Sequence, residues 1–307
     1  MRIKQIINAI KFRGLHSYAL VLIIILAFAL MVALSSYFMT NIVGKQLADN
    51  ALAALDYLET NIATDLKEPR TLLGGGSETV REMILHGATK EEVHTYLNEI
   101  TEYLLSDEEQ LADLDGFFGY FDVFGGVLLD GQNRTPPENF NPTERPWYKK
   151  AAAAGGEIVF LQPYLSVMSQ TPTTVVAYGR ALLDNDGKLL GVLALNMNFE
   201  RVKSYIINAN LGKVWFGILL NEQYEFIFHK DPGYEGTKFE DVNSDTARLV
   251  ALLKSGHDNV SEFKMINYQN IPSITFIRKL ENGWYLGIVT PEAEYFKEVE
   301  KVKFILI

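Results

Sequence analysis

An unbroken run of sixteen apolar residues extends from Ala19 to Leu34, close to the start of the chain. With Tyr18 before it and mostly apolar residues up to position 40 after it, the segment reaches the roughly 20 residues that a helix needs to cross about 30 Å of hydrocarbon. A cleaved signal peptide has a shorter apolar region followed by a small-residue cleavage site. The pattern therefore predicts an uncleaved transmembrane helix over residues 18–40.

After this run the apolar positions take on a helical period. From Val43 to Leu66 they recur every three or four residues, which predicts one long stalk helix over residues 41–66. Pro69 and the triplet Gly74–Gly76 then interrupt the pattern, and we interpret the triplet as a loop. Two helical segments follow before the period changes again. The second of these two helical segments opens with a capping box formed by Thr89 and Glu92.

From Gly116 onwards the apolar residues alternate as in strands, and the strand-like runs fall into two sets. Arg134–Pro146 contains four prolines and is predicted to be an ordered surface loop. The predicted strands are Phe117–Val123, Val127–Asp130, Ile158–Leu161, Thr173–Leu183 and Leu189–Asn198 in the first set, and Val214–Leu220, Tyr224–His229, Val260–Ile266, Ser273–Leu280 and Trp284–Val289 in the second. Further helices are predicted at Trp147–Ala154, Phe199–Asn208, Ala247–Lys254 and Glu292–Lys303.

The order of these elements predicts an α+β fold, in which a long N-terminal helix precedes two antiparallel α/β modules in tandem. We place the first module at residues 67–209 and the second at residues 210–291. Residues 292–307 are predicted to form an exit helix. Its apolar end, Phe304–Ile307, suggests the start of a second transmembrane helix.

The charges are distributed unevenly along the chain. It carries 28 basic and 38 acidic residues, a net charge of -10, yet residues 1–17 hold four basic residues and no acidic one. The positive-inside rule therefore predicts a cytoplasmic tail at 1–17 and an extracytoplasmic location for the residues after about 40. The acidic remainder repels phosphate backbones, so nucleic acid is not an expected partner.

The short motifs of catalysis and metal binding are absent from the sequence. It contains no cysteine, no G-x-S-x-G, no P-loop, no G-x-G-x-x-G and no H-E-x-x-H. Asp184–Gly187 lacks the twelve-residue spacing of a calcium loop, and we interpret it as a hairpin turn. We therefore expect no catalytic residues, no metal site and no cofactor within residues 1–307.

One short motif points to a binding site. In Arg145-Pro-Trp147-Tyr148 the guanidinium and the indole N–H can both donate hydrogen bonds to one carboxylate, and Tyr148 adds an aromatic face with a polar tip. The alternative interpretation is that Trp147 and Tyr148 are core aromatics and that Arg145 forms a surface ion pair. The strands that follow, up to Asn198, would form the wall of a small-ligand pocket.

Four soft motifs in this order carry a resemblance to a known family. They are Arg145-Pro-Trp-Tyr-Lys-Lys-Ala, Gly187-Lys-Leu-Leu-Gly-Val-Leu-Ala-Leu, His229-Lys-Asp-Pro and Trp284-Tyr-Leu-Gly. Together they resemble the double Cache (dCache) sensor module of bacterial transmembrane receptors, over about residues 41–303. The resemblance implies two PAS-like modules, of which the membrane-distal one holds a small ligand and the membrane-proximal one relays its presence. Such modules serve histidine kinases, chemotaxis receptors and diguanylate cyclases.

The resemblance also implies roles for particular residues. Arg145 and Trp147 match the positions that bind the ligand carboxylate in amino-acid-binding members, Tyr148 matches the next position, and Tyr164 matches a later pocket tyrosine. Asn196 stands where those members have an aspartate that binds the ligand ammonium, and Phe140 replaces a tyrosine. Because asparagine is neutral, this departure favours a small carboxylate or another polar metabolite over a standard amino acid. The alternative for Asn196 is a simple residue at the end of a strand.

Three functions follow as alternatives. The first is an extracytoplasmic sensor of a small carboxylate or amino-acid-like ligand, working in the membrane as a homodimer, in which the exit helix moves relative to the stalk helix. The second is a membrane-anchored binding or adhesion protein without signalling output, which predicts a native chain that stops near Ile307. The third is an anchored hydrolase, since glycosidase carboxylates have no short signature.

Overall fold

The computed structural model describes residues 2–106, 114–168, 173–209 and 215–297. The helices are α1 (Arg2–Leu85), α2 (Lys90–Ser106), α3 (Pro146–Ala153), α4 (Glu200–Asn208), α5 (Ser244–Lys254) and α6 (Glu292–Tyr295). The strands of the first half are β1 (Leu114–Phe121), β2 (Val127–Asp130), β3 (Val159–Ser166), β4 (Thr173–Leu183) and β5 (Leu189–Asn198). Those of the second half are β6 (Phe216–Leu220), β7 (Phe226–Phe228), β8 (Asn259–Ile266), β9 (Pro272–Lys279) and β10 (Tyr285–Pro291).

The strands form two antiparallel five-stranded sheets of the same topology. The first sheet has the order β2-β1-β5-β4-β3 and the second has the order β7-β6-β10-β9-β8. We call β1–β5 with α2 and α3 the first module, and β6–β10 with α5 and α6 the second module. This arrangement confirms the predicted α+β fold with a long N-terminal helix and two antiparallel modules.

Helix α1 packs against both sheets and joins them through one hydrophobic core. Leu58 and Leu73 of α1 are fully buried in the same cluster as Leu193 of the first sheet and Phe276 of the second. Burial of whole Leu and Phe side chains stabilises such a core by about 1.5–3 kcal/mol each. The two modules therefore share one rigid support.

The predicted loop at Gly74–Gly76, and the predicted end of the stalk helix near Leu66, are wrong. Helix α1 continues to Leu85 with Pro69 inside it. Gly76 lies against the first sheet so closely that a Cβ there would be 2.9 Å from the Phe117 ring. Gly76 thus permits close packing of helix on sheet, and that burial offsets the poor helix propensity of the segment.

Helix α1 ends at a glycine in the left-handed backbone conformation. Gly87 has φ 88°, and the backbone N–H groups of Gly87 and Ala88 donate to the carbonyl oxygens of Ile84 and Met83 at 3.0 Å each. These two bonds form a Schellman motif. The predicted capping box is confirmed directly afterwards, since Thr89 N–H donates to Glu92 Oε2 at 2.8 Å and Glu92 N–H donates to Thr89 Oγ1 at 3.3 Å.

The apolar start of α1 is exposed. Within the described part of the chain, α1 is the one helix that is long and apolar enough to cross a membrane, with a mean hydropathy of 2.7 in its most apolar window. Its side chains there, such as Ile23 and Phe28, are 63% exposed. The helix is therefore a candidate membrane span.

Other boundaries also differ from the predictions, and two of them bear on function. Strand β3 runs to Ser166 rather than Leu161, with a register shift between Leu161 and Tyr164, so Tyr164 lies within a strand. At the end of the chain, α6 covers Glu292–Tyr295. Residues 298–303 of the predicted exit helix, and the suggested start of a second membrane helix, lie outside the described residues.

Candidate ligand-binding site

Helix α3 lies on one face of the first sheet and is seated on small residues. Trp147 and Ala151 of α3 are buried against a cluster that includes Ala177 and Ala194. At Gly179 a Cβ would be 3.2 Å from both the Trp147 carbonyl oxygen and the Ala151 Cβ. The small residues of β4 and β5 therefore allow the Arg-Pro-Trp-Tyr segment to sit directly on the sheet.

Arg145 is held by aromatic rings and keeps most of its donors free. Its guanidinium carbon is 5.6 Å from the centre of the Phe140 ring and 5.8 Å from that of the Tyr164 ring. Nη2 donates to the carbonyl oxygen of Leu165 at 2.9 Å. Among the described residues no carboxylate pairs with Arg145. The guanidinium is thus fixed by cation–π contacts and one hydrogen bond, with N–H groups available to an anion.

The indole of Trp147 is also unpaired. The side chain is 1% exposed, and its ring meets the Phe118 ring edge-on at 5.0 Å. Within the described ranges, Nε1–H has no hydrogen-bond acceptor. The indole N–H of a buried tryptophan normally finds a partner, so this donor is available to a ligand.

Tyr164 and Asn196 meet across strand β4. The Tyr164 hydroxyl donates to Asn196 Oδ1 at 2.9 Å, and the residue on β4 that pairs with Asn196 is the small Ala177. Burial raises the pKa of the Tyr164 hydroxyl well above its usual value, although the nearby Arg145 charge opposes this. The hydroxyl therefore stays protonated, and the carboxamide of Asn196 keeps its NH₂ group as the free donor. The Asn196 side chain is 2% exposed.

Tyr148 packs on the same apolar cluster as Trp147 and Tyr164, but its hydroxyl is bound by Asp122. Its hydroxyl donates to Asp122 Oδ2 at 3.0 Å, and its ring meets those of Tyr120 and Trp147 at 5.6 and 5.9 Å. Burial and the Asp122 hydrogen bond raise the pKa of Tyr148 to about 12. Tyr148 therefore supports Trp147. We call Arg145, Trp147, Tyr164 and Asn196 the first-module site.

The sequence motifs did not predict a charged cluster formed by Asp115 of β1, Asp130 of β2 and Arg134, which follows β2. Arg134 donates from Nη1 to Asp115 Oδ1 at 2.6 Å and from Nη2 to Asp130 Oδ2 at 2.8 Å. Burial alone would lower the pKa of Arg134, but the hydrogen bond to Asp130 and the charge of Asp115 raise it. Gly116, directly after Asp115, is the sequence signal that could have indicated this place. A glycine inside a strand often marks a bulge, and Asp115 is the charged residue beside it.

Comparison with known proteins agrees with this architecture. The sequence profile of the Cache domain family matches residues 39–299. Methyl-accepting chemotaxis protein McpC of Bacillus subtilis (strain 168) is 26% identical over 207 residues, which cover 65% of this chain and 29% of McpC. McpG of Pseudomonas putida is 23% identical over 280 residues, which cover 90% of this chain and 40% of McpG. The chain thus spans less than half the length of these relatives.

Solved structures share the fold. The ligand-binding domain of the Pseudomonas aeruginosa PAO1 amino acid chemoreceptor PctB, in complex with L-Arg, superimposes with a TM-score of 0.64 at 17% identity, covering 82% of this chain and 98% of that chain. The ligand-binding domain of the Pseudomonas fluorescens chemoreceptor CtaA, in complex with L-serine, gives a TM-score of 0.61 at 16% identity, covering 80% and 97%. With the profile match over most of its length, the chain belongs to the double Cache (dCache) branch of the Cache domain family.

Proposed function

We propose that the chain is the extracytoplasmic sensor part of a bacterial signal-transduction receptor, and that it binds a small carboxylate-bearing ligand at the first-module site. The observation that carries this proposal is that the Arg145 guanidinium has N–H donors without an anionic partner in the described part of the chain. Its guanidinium lies against two aromatic rings and has no carboxylate partner among the described residues. Trp147, two residues later, is a buried side chain whose indole N–H has no hydrogen-bond acceptor among the described residues. Two unpaired donors at the start of one helix suit a carboxylate.

The rest of the architecture supports a role in signalling across a membrane. The exposed apolar start of α1 would span the bilayer, with residues 1–17 in the cytoplasm. The same helix packs against both modules. A ligand that binds one arrangement of the first module more tightly than another would bias the position of α1 relative to α6.

A homodimer is part of this proposal. Receptors of this kind act in pairs, and residues 41–66 of α1 carry a periodic apolar stripe. One face of that stripe is buried on the sheets, while Ile42 and Tyr57 are 60% and 61% exposed. These exposed positions would lie at the contact between two copies of α1.

A thermal-shift screen of the chain in detergent micelles tests the proposed function. The panel contains small carboxylates, amino acids, amines and purines, each with wild type and with Arg145→Ala. A ligand that binds only the folded state stabilises it by about 2.7 kcal/mol at a hundredfold excess over Kd. We expect hits among the carboxylates that disappear in Arg145→Ala. The matched control is Lys149→Ala, which removes an exposed cation from the same helix and should leave the hits unchanged.

A flat response across the panel, or hits that survive Arg145→Ala, would contradict the proposal.

A further inference from the structure

A β-bulge places Asp115 opposite Asn196. The ladder between β1 and β5 advances three residues on β1, from Leu114 to Phe117, but only two on β5. Asp115 and Gly116 therefore lie together opposite the single residue Asn196. Bulges of this kind re-aim side chains next to functional sites.

Helix α2 holds the bulge in place. Gly116 has φ 75°, and a Cβ on it would collide with the Thr101 side chain. The Thr101 hydroxyl oxygen accepts a hydrogen bond from Phe117 N–H at 3.0 Å and is part of a side chain that is 1% exposed. Because these contacts fix the backbone at Gly116 and Phe117, they also fix the backbone position of Asp115.

Asp115 is the more exposed carboxylate of a cluster in which two carboxylates share one guanidinium, so the cluster carries one surplus negative charge. Arg134 is bound on two sides: its Nε and Nη2 both donate to Asp130, at 3.1 and 2.8 Å, and its Nη1 donates to Asp115 at 2.6 Å. Asp130 is buried, with 3% of its side chain exposed, whereas 29% of the Asp115 side chain is exposed. Asp115 Oδ1 accepts from Arg134 and from Gln132 Nε2. Its Oδ2 accepts no hydrogen bond from any described residue.

Asp115 and Arg145 act on the same hydroxyl with opposite sign. The charge of Arg145 lowers the pKa of Tyr164, and the charge of Asp115 raises it. The Arg145 guanidinium carbon is 5.8 Å from the centre of the Tyr164 ring, and the bulge places Asp115 opposite Asn196, which accepts from the Tyr164 hydroxyl. Arg145 and Arg134 together balance Asp115 and Asp130, so the site is neutral overall but has a positive and a negative pole.

Asn196 itself is a poor acceptor for a cation. Its Oδ1 already accepts from the Tyr164 hydroxyl, so the side chain presents its NH₂ group. Within the described residues that group donates no hydrogen bond, although the side chain is 2% exposed. An ammonium group beside it would meet N–H donors and an uncharged oxygen that already accepts one hydrogen bond, so its charge would lack a counter-charge, which is costly in a buried site.

We propose that Asp115, across the bulge from Asn196, is the specificity-determining anion of the first-module site and binds the cationic group of a zwitterionic ligand. The inference rests on the proposed function, because Arg145 and Trp147 hold the carboxylate of the same ligand. Asn196 then donates its N–H to that carboxylate or to a neighbouring polar group. The ligand is a small molecule with one cationic nitrogen and one carboxylate, and a bare monocarboxylate is the weaker ligand.

Matched pairs of probes test the role of Asp115. Isothermal titration calorimetry of the chain in micelles is run with L-alanine and propionate, L-leucine and 4-methylpentanoate, and L-phenylalanine and 3-phenylpropionate. The members of each pair differ only in the ammonium group. We expect at least one amino acid to bind at least about tenfold more tightly than its carboxylate partner. The partner leaves the surplus negative charge at Asp115 without a counter-charge, which is strongly unfavourable in a buried site. In Asp115→Asn this preference should fall to about twofold or less, with the carboxylate partner binding at least as well as before.

Two further variants keep the result interpretable. Asp115→Asn combined with Asn196→Asp returns a carboxylate to the opposite side of the bulge and should restore the preference for the amino acid. Glu157→Gln removes an exposed carboxylate from the same module and should change nothing. The melting temperature without ligand shows whether each variant is folded.

The inference is overturned if the carboxylates bind wild type as tightly as the amino acids, or if Asp115→Asn keeps the preference. Loss of all binding in Arg145→Ala, together with an unchanged preference in Asp115→Asn, would retain the proposed function and reject the role of Asp115. Binding that survives Arg145→Ala would reject the proposed function itself. Failure of all six probes to bind wild type would reject the inference, and a flat response of the thermal-shift panel as well would reject the proposed function.

Discussion

The indole N–H of Trp284 donates to Gln162 Oε1 at 2.6 Å and thereby joins the two modules. Trp284 precedes β10 of the second sheet and is fully buried, while Gln162 belongs to β3 of the first sheet. The Trp284 ring also lies 5.3 Å from the Phe160 ring and 5.7 Å from the Phe199 ring. Gln162 is two residues from Tyr164, so the strand that carries a residue of the first-module site also carries the contact to the second module.

We expect Trp284→Phe to lower the free energy of unfolding by about 1–3 kcal/mol, because Gln162 loses its partner and the core loses volume. It should also reduce the effect of a bound ligand on hydrogen exchange in β10. The matched control is Trp215→Phe, since the Trp215 ring packs on Tyr295 without a hydrogen bond among the described residues. Equal ligand effects on β10 exchange in wild type and Trp284→Phe would show that this contact does not couple the modules.

The glycines inside α1 give a second prediction. A Cβ at Gly75 has nothing within 4 Å, whereas one at Gly76 would be 2.9 Å from the Phe117 ring. Gly75→Ala should raise the free energy of unfolding by up to about 1 kcal/mol through better helix propensity. Gly76→Ala should lower it by about 1–3 kcal/mol through overpacking. Urea denaturation compares the two, and equal effects would mean that the segment is not a helix packed on the first sheet.

The hydrogen bond between Tyr164 and Asn196 gives a third. Tyr164→Phe leaves the buried Asn196 Oδ1 without its donor, which should lower the free energy of unfolding by about 1–3 kcal/mol. Tyr103→Phe is the control, because that side chain is 73% exposed. Urea denaturation measures both variants. A Tyr164→Phe variant as stable as wild type would indicate that Asn196 finds another donor.

His229 gives a prediction about pH. It is 3% exposed, and its ring is 4.6 Å from the Tyr268 ring and 5.0 Å from the Phe226 ring. Burial lowers the pKa of His229 below its usual value of 6.5, although the Asp231 backbone opposes this. The unfolded chain therefore binds a proton first as the pH falls, so stability conferred by neutral His229 is present above about pH 6.5 and is lost below it.

We accordingly expect the free energy of unfolding of wild type to decrease between pH 7 and pH 5 more steeply than that of His229→Phe. Urea denaturation at several pH values measures both slopes. Identical slopes would contradict a protonation cost at His229.

The sequence predicted most of the fold because the strands are long and strongly patterned. Strands β4 and β5 have the predicted bounds, since two mostly apolar runs are separated there by the turn residues Asp184–Gly187. The course of α1 was not predictable from local signals, because Pro69 and Gly74–Gly76 are helix breakers whose cost is met by contacts with a distant sheet. Contacts between residues that are far apart in sequence decide whether such a segment stays helical.

The candidate site was predicted only in part for the same reason. Arg145 and Trp147 form a local motif, so their shared segment could be recognised from sequence. The relation of Asp115 to Asn196 depends on a bulge between two strands that are about 80 positions apart in sequence. Tyr148 matched a motif position, yet its hydroxyl binds Asp122, because the side-chain direction depends on the helix that carries it.

The most direct test of the central claim is a crystal structure of the chain with the tightest-binding probe from the calorimetric panel. The decisive quantity is the distance between the probe's carboxylate oxygens and the Arg145 guanidinium. We predict two N–H···O contacts of about 2.7–3.0 Å, with the Trp147 indole N–H as a further donor. A probe bound elsewhere, for example beside His229 in the second module, would contradict the assignment of the ligand to the first-module site.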